Sequence, residues 1–390
     1  MITPRIPYPP NDGGAIRMFN IFKNLAENYE LDLLSFDEGN HLDNLEQLEK
    51  FCRNVYRVET KTSGMKDALL VLKSIFTSEP FMYLRYESGE MRSFLKKLRH
   101  KNKYDFVFFN NIHTGQYYTS CSGLRKVVDL HNNDSVIMKR WADRQTNPVK
   151  KKLGKIQAEY VADYLKKSLP EMNVVITVSE KEKEQMQNFA PDTRFIVADN
   201  GVDIDFYQPQ KNENKEPNLL YTGDMAWWPN TDASLFFLDE IFPEIQNREP
   251  EARVILAGRR PPEQLASRAG KYIEITGFVE DMRTYFNRAK AFIVPLRVGG
   301  GTRLKILEAM AMKIPIVSTS VGCEGLEVEN EKHLLIRDDP KEFAQAVLRL
   351  LSDEDLRNRL VKNAYELVAQ KYDWKIIMED MVKKLEGEMK

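Results

Sequence analysis

Short runs of apolar and β-branched residues recur along the chain. Longer stretches whose apolar positions fall every three or four residues separate them. In the first half the short runs are Leu31–Phe36, Val55–Val58, Phe106–Phe109, Val127–Leu130, Val174–Val178 and Phe195–Val197. Gly14–Glu27, Lys66–Phe76, Met91–His100 and Lys181–Phe189 between them carry helical spacing. In the second half the runs are Leu219–Thr222, Val254–Ala257, Ile273–Thr276, Phe292–Pro295 and Ile316–Thr319, again with helical patterns between. Near-continuous apolar runs predict strands covered on both faces, and their alternation with helices predicts α/β architecture with doubly wound parallel sheets.

One stretch breaks the rhythm. Pro209-Gln210-Lys211-Asn212-Glu213-Asn214-Lys215-Glu216-Pro217 holds no apolar side chain between its prolines, a linker composition. We therefore expect two Rossmann-like domains, 1–205 and 206–372. The closing amphipathic pattern, Trp374–Leu385 within 373–390, has no strand after it and must pack on something already built. Met1-Ile2-Thr3 leaves little room for a first strand, so that strand is expected to be cut short. Open α/β sheets bind ligands beyond the carboxyl ends of their strands. Two such domains can present those ends to each other across a cleft that closes by hinge motion.

Candidate chemistry then belongs in loops that follow strands. After Phe292–Pro295 comes Leu296-Arg297-Val298-Gly299-Gly300-Gly301-Thr302-Arg303-Leu304-Lys305-Ile306-Leu307-Glu308. Three glycines leave backbone N–H groups unobstructed, and a helix starting near Thr302 directs its unpaired N–H groups and dipole at an anion. Gly300, Gly301, Thr302 and the backbone of Leu304 are expected to hold a diphosphate, with Arg303 and Lys305 adding positive charge. Glu308, one turn deeper, suits the two hydroxyls of a ribose. The segment is neither a Walker loop nor a GxGxxG fingerprint.

The first half offers a second anion site. Gly13-Gly14 open a helix with Arg17 in its first turn. His131 follows the run Val127–Leu130 and is expected to hydrogen-bond the reacting sugar or its acceptor. Asp134-Ser135, just beyond, reads as a helix cap. Asn111 and His113 follow Phe106–Phe109 and, with Arg17, are the acceptor-binding candidates. Asp203-Ile204-Asp205 looks like a metal-binding DxD but lies in a turn, and the remaining histidines, His41, His100 and His333, have no ligand spacing. No metal site and no tightly bound cofactor are expected. Trp227-Trp228-Pro229 either stacks on a sugar or base, or packs beneath the site.

Composition changes this picture little. Of 390 residues, 42% are hydrophobic and 29% charged, enough apolar material for two cores. No run of about 20 apolar residues is present, as a membrane span requires. Cys52, Cys121 and Cys323 lie far apart and read as reduced thiols. Net charge is +4 over residues 1–200 and −5 over the rest, with nine basic and three acidic residues between Lys139 and Lys167. That stretch is either a solvated helix face or a docking face for an anionic membrane surface. Without aromatic-interleaved basic motifs, nucleic acid is excluded as a partner.

The segment Lys305-Ile306-Leu307-Glu308-Ala309-Met310-Ala311-Met312-Lys313-Ile314-Pro315-Ile316-Val317 resembles the donor-site signature of glycosyltransferase family 4. Pro9-Pro10-Asn11-Asp12-Gly13-Gly14 resembles that family's N-terminal glycine loop, and Asn200-Gly201-Val202-Asp203 the turn ending its N-domain. Gly277-Phe278-Val279 resembles the loop around the nucleotide base, and Tyr372-Asp373-Trp374 the start of a last helix that crosses back to the N-domain. The resemblance implies the GT-B fold. It also implies retaining, metal-independent transfer from a nucleoside-diphosphate sugar to a glycan or lipid-linked acceptor, commonly for surface polysaccharide, at a cytoplasmic or peripheral membrane location. Two departures stand out. A first glutamate common in the family falls at Gly300, and an Arg and a Lys expected after the first strand of the second domain are missing from Tyr221–Asn230. The missing groups keep two other readings open, a non-catalytic nucleotide-sugar binder and a nucleotide-sugar epimerase of related fold.

Overall fold

The computed structural model describes every residue except Asn11, Glu38, 40–44, 61–63, 211–215, 300–303 and Lys390. It divides into two units, Met1–Asp199 with Met378–Lys390, and Asn200–Ile377.

The first unit is built on β1 (Ile2–Thr3), β2 (Asp32–Asp37), β3 (Asn54–Glu59), β4 (Phe106–Asn110), β5 (Arg125–Asp129), β6 (Val174–Thr177) and β7 (Arg194–Val197). They form one sheet in the order β3-β2-β1-β4-β5-β6-β7. Neighbours are parallel throughout. β1 is as short as its sequence suggests, yet it is central: Ile2 pairs with Leu34 on one side and Phe109 on the other. Val127, Val128, Val174, Val175 and Ile176 are all buried, which explains the continuous apolar runs. Asp12 caps the helix Gly13–Asn28 by accepting from the Ala15 N–H at 3.1 Å.

The second unit repeats the plan with β8 (Asn218–Thr222), β9 (Arg253–Ala257), β10 (Ile273–Ile275), β11 (Ala291–Val294), β12 (Ile316–Ser318) and β13 (Leu335–Ile336). The order is β10-β9-β8-β11-β12-β13, again parallel. β13 was not expected, because its two residues give no periodicity to read. In each sheet the order reverses beside the first strand, between β1 and β4 and between β8 and β11. Those are the switch points where an open sheet leaves a crevice at its carboxyl edge.

The units part at Asp199/Asn200 rather than at 205/206. The Asn200–Asp203 turn is tied to the end of its own unit: Val202 N–H donates to Tyr372 O at 2.8 Å, and Trp374 N–H to Val202 O at 3.2 Å. The last helix, Trp374–Met389, starts in the second unit, and its residues from Met378 onward count with the first.

Candidate active site

In the second unit the switch point is flanked by the loop after β8 and the glycine segment after β11. Gly300, Gly301, Thr302 and Arg303 lie outside the described residues. The helix that follows, Leu304–Ala311, buries Ile306, Leu307 and Met310, while Leu304 packs against the same core. Lys305 and Glu308 emerge from its less buried side. Lys305 Nζ donates to Asn230 Oδ1 at 3.0 Å and sits 4.1 Å from the centre of the Tyr221 ring. The Tyr221 hydroxyl donates to the same Asn230 oxygen at 2.8 Å. The cation on the helix Leu304–Ala311 thus lies over the end of β8, beside Gly223, where the sequence showed no base.

Two more cations reach that loop from the end of β9. Arg259 Nε donates to Asp224 Oδ2 at 3.2 Å, and Arg260 pairs with the same carboxylate. Their approach depends on Gly258. A Cβ there would lie 1.7 Å from the Gly223 carbonyl oxygen, so no side chain fits. Sequence reasoning missed both arginines because they follow a different strand from the one inspected. Arg297 is committed elsewhere, donating to Asp232 at 2.7 and 3.1 Å.

Glu308 Oε1 accepts the Tyr207 hydroxyl at 3.0 Å. Burial raises the Glu308 carboxyl, with Tyr207 and Lys305 opposing. Gly277 turns with φ of 68°, leaving Phe278 69% exposed, whereas Val279 packs on the core. Trp227 is half exposed and Trp228 opens the helix Trp228–Phe236. The DxD carboxylates serve local structure. Asp203 accepts from the N–H groups of Asp205 and Phe206, and Asp205 pairs with Lys375.

In the first unit, the carboxyl ends of β1, β4 and β5 bring a polar group together. Arg17, expected at the acceptor, is 1% exposed. Its Nε lies 2.9 Å from Asp129 Oδ2, and its Nη1 donates to Ala198 O at 3.0 Å. A fully buried carboxylate requires such a cation. Burial pushes the Asp129 carboxyl up, but Arg17 and His131 outweigh it and hold it at about 2. His131 Nε2 stands 3.0 Å from Asp129 Oδ2 and 2.9 Å from Asn110 Oδ1. Its Nδ1 lies 3.9 Å from where a Cβ on Gly14 would be, so the histidine stands beside the glycine loop. Gly13 is the first residue of the helix.

The other acceptor candidates are partly spent on structure. Asn111 has φ of 78° and its side chain caps the next turn, accepting from His113 N–H at 3.2 Å. His113 stacks on Tyr86 with centroids 5.1 Å apart and meets the edge of Tyr83 at 5.0 Å. Burial pulls its imidazole down to about 3, assisted by His131 and Arg85. The cap of the helix Asp134–Asp143 is Asn133, which accepts from Val136 N–H, not Asp134 or Ser135. No disulfide joins the three cysteines, and no group of metal-binding side chains occurs among the described residues.

Two successive parallel-sheet Rossmann-like units, each with its crevice at a switch point, have the plan of the GT-B fold. The chain belongs to glycosyltransferase family 4. The model described as Glycosyltransferase Family 4 matches residues 11–206, and that of Glycosyl transferases group 1 matches residues 216–353. The chain is similar to an uncharacterized 44.6 kDa protein in the cps region of Klebsiella pneumoniae, 22% identical with 98% of each chain covered. It is 24% identical to the capsular polysaccharide biosynthesis glycosyltransferase CapM of Staphylococcus aureus, over 53% of this chain and 60% of that one. Among solved structures, Anabaena HepE in complex with UDP and glucose superposes with a TM-score of 0.68 at 14% identity, covering 99% of this chain and 98% of that one.

Proposed function

We propose that this glycosyltransferase moves a hexose-type sugar from a nucleoside-diphosphate donor to a glycan or lipid-linked acceptor, with retention and without a metal ion, in surface polysaccharide synthesis. The observation that carries the reading is the pair of groups on one helix of the second unit. Lys305 is presented over the end of β8, and Glu308 sits one turn further on. A diphosphate leaving group develops negative charge, and preorganised cations and N–H groups aimed at it lower the barrier. Lys305 supplies such a cation, with Gly300, Gly301, Thr302, Arg303 and the Leu304 N–H proposed around the phosphates. Glu308 has one oxygen occupied by Tyr207, and its Oε2, which accepts no hydrogen bond among the described residues, is assigned to the ribose. Gly277 and Phe278 are assigned to the base, with Val279 fixing that loop to the core.

In the first unit Gly13, Gly14 and His131 are assigned to the transferred sugar, with Asn111 and His113 lining the acceptor. Arg17 acts through Asp129, which orients His131. Similarity to CapM and to a cps-region protein supports a polysaccharide product. An anionic membrane surface is proposed as a partner on one observation. In the helix Gly64–Thr77, Leu69, Leu72 and Phe76 are 65%, 54% and 87% exposed, opposite the buried Ser74. Ser74 Oγ accepts from Gln157 Nε2 at 2.7 Å, which fixes this apolar stripe to the lysine-rich helix Pro148–Ser168.

Purified protein incubated with UDP-, GDP- and dTDP-hexoses and a lipid extract tests the reading, with product anomers assigned by NMR and EDTA added in parallel. Transfer with retention, unaffected by EDTA, is expected. Binding without turnover would point to a non-catalytic binder, and conversion of the sugar nucleotide alone to an epimerase.

A further inference from the structure

One largely buried carboxylate is not explained by the fold. Asp134 is the first residue of the helix after β5, but the cap is Asn133, so its side chain is not needed there. Among the described residues no Lys or Arg lies within ion-pairing distance of it. The nearest ring nitrogen, His113 Nε2, stands 3.6 Å from Oδ2, beyond hydrogen-bond reach. Burial keeps that imidazole neutral at neutral pH. The Tyr83 hydroxyl donates to Oδ2 at 3.2 Å. Oδ1 accepts no hydrogen bond among the described residues, and the side chain keeps 13% of its surface exposed. Burying an uncompensated carboxylate costs several kcal/mol, and such groups concentrate at functional sites.

The residues around the carboxylate are aromatic. Tyr83 stands between His113 and Tyr164, with ring centroids 5.0 and 4.7 Å away. Among the described residues the buried His113 Nε2 and Tyr164 hydroxyl have no hydrogen-bond partner, so polar atoms are set among these aromatic rings. Aromatic faces suit the C–H faces of a pyranose, and a carboxylate oxygen suits its hydroxyl groups. An anionic group would be repelled by Asp134. The position is also right, since His113 follows β4 and Asp134 follows β5, the strands whose ends carry Asn110, Asp129 and His131.

We infer that Asp134 is an acceptor-binding residue whose Oδ1 takes a hydrogen bond from a hydroxyl of a neutral sugar ring, with Tyr83 and His113 as its positioning residues. This rests on the acceptor side of the proposed function and adds the group that recognises the hydroxyl. It also predicts a pH dependence. Burial pushes the Asp134 carboxyl up to about 6, against the Tyr83 hydroxyl. The groups facing it are Tyr83 and His113, with Tyr164 against the Tyr83 ring and with Arg85 and His131 near His113.

The test uses the full chain and saturation-transfer NMR with methyl glucopyranoside, galactopyranoside and mannopyranoside, alongside the thermal shift produced by UDP. Wild type is expected to bind at least one glycoside, with affinity falling as pH drops through about 6. Asp134→Asn is expected to weaken that glycoside about tenfold, the worth of a hydrogen bond to a charged group, with the UDP shift intact. Tyr83→Phe, which removes the donor to Oδ2, is expected to move the pH midpoint upward. Failure of every glycoside to bind wild type, or binding by Asp134→Asn equal to wild type, overturns the inference. Loss of the UDP shift in wild type instead strikes at the donor reading, which the glycoside arm does not touch.

Discussion

The Tyr207 hydroxyl donates to Glu308 Oε1 at 3.0 Å, so a residue beside the linker orients the carboxylate proposed for the ribose. Glu308→Gln keeps the shape and removes the charge, and is expected to weaken UDP about tenfold in calorimetry. Tyr207→Phe leaves the carboxylate in place but without its guide, so a smaller loss, about threefold, is expected. Equal UDP affinity in wild type and Glu308→Gln would remove the ribose assignment.

Lys305 provides a sharper contrast. Its ammonium lies over the Tyr221 ring and on Asn230, so Lys305→Ala is expected to lower turnover about a hundredfold, as loss of one preorganised charge-stabilising group does. Arg259 and Arg260 share Asp224, which offsets part of their charge, and Arg260 is 64% exposed. The Arg259→Ala/Arg260→Ala pair is therefore expected to cost less than Lys305→Ala. Circular dichroism and steady-state rates on the three proteins decide the ranking, and a larger loss from the arginine pair would reverse it.

What the sequence made legible follows from periodicity. Strands β2, β4, β5, β8, β9 and β11 announce themselves because burial on both faces leaves an unbroken apolar run. β1 and β13 do not, since two residues carry no period and their pairing is decided by neighbours far along the chain. The shared side of Lys305 and Glu308 on Leu304–Ala311 was visible because helix spacing places local groups together. Lys305 on Asn230, Arg259 and Arg260 on Asp224, and Tyr207 on Glu308 were not, because each joins side chains from different strands or helices. Arg17 misled for the same reason: a basic residue in the first turn of a helix reads as an anion site, and only the fold shows Asp129 beneath it. Asp134 misled through its resemblance to a cap.

The Arg17–Asp129 pair makes a pH prediction. Asp129 has a folded value of about 2 against an ordinary 3.8, so the pair contributes stability that is present above 3.8 and is lost as pH falls through about 2. Arg17→Met strands the carboxylate and is expected to cost about 3–5 kcal/mol at pH 7. Adding Asp129→Asn is expected to recover part of that loss. Urea unfolding at pH 7 measures both, and a double variant no more stable than Arg17→Met would contradict the account.

Membrane docking is tested by flotation with vesicles of phosphatidylglycerol and phosphatidylcholine. Leu72→Ser/Phe76→Ser removes apolar side chains from an exposed stripe, and Lys150→Glu/Lys152→Glu removes charge from the helix beneath. Both are expected to reduce binding, the second more strongly at low salt, because surface electrostatics are screened as salt rises. Absence of wild-type flotation at low salt would end the membrane reading while leaving the transferase reading untouched.

Asp134 separates stability from function. Its folded value of about 6 exceeds the ordinary 3.8, so the folded state holds the proton more tightly than the unfolded chain. The cost of the charged form is complete above about 6 and is relieved as pH falls toward 3.8. A shift of roughly two units corresponds to about 3 kcal/mol, and solvent at the partly exposed carboxylate reduces it. Asp134→Asn keeps an oxygen for the Tyr83 hydroxyl and never ionises. At pH 8 it is expected to be more stable than wild type by about 1–3 kcal/mol. That advantage is expected to disappear by about pH 4. A group retained only for structure would not behave this way, because its replacement by Asn would cost stability at pH 8. Urea unfolding of both proteins across pH 4–8 distinguishes the two, and a variant less stable than wild type at pH 8 would return Asp134 to a structural role.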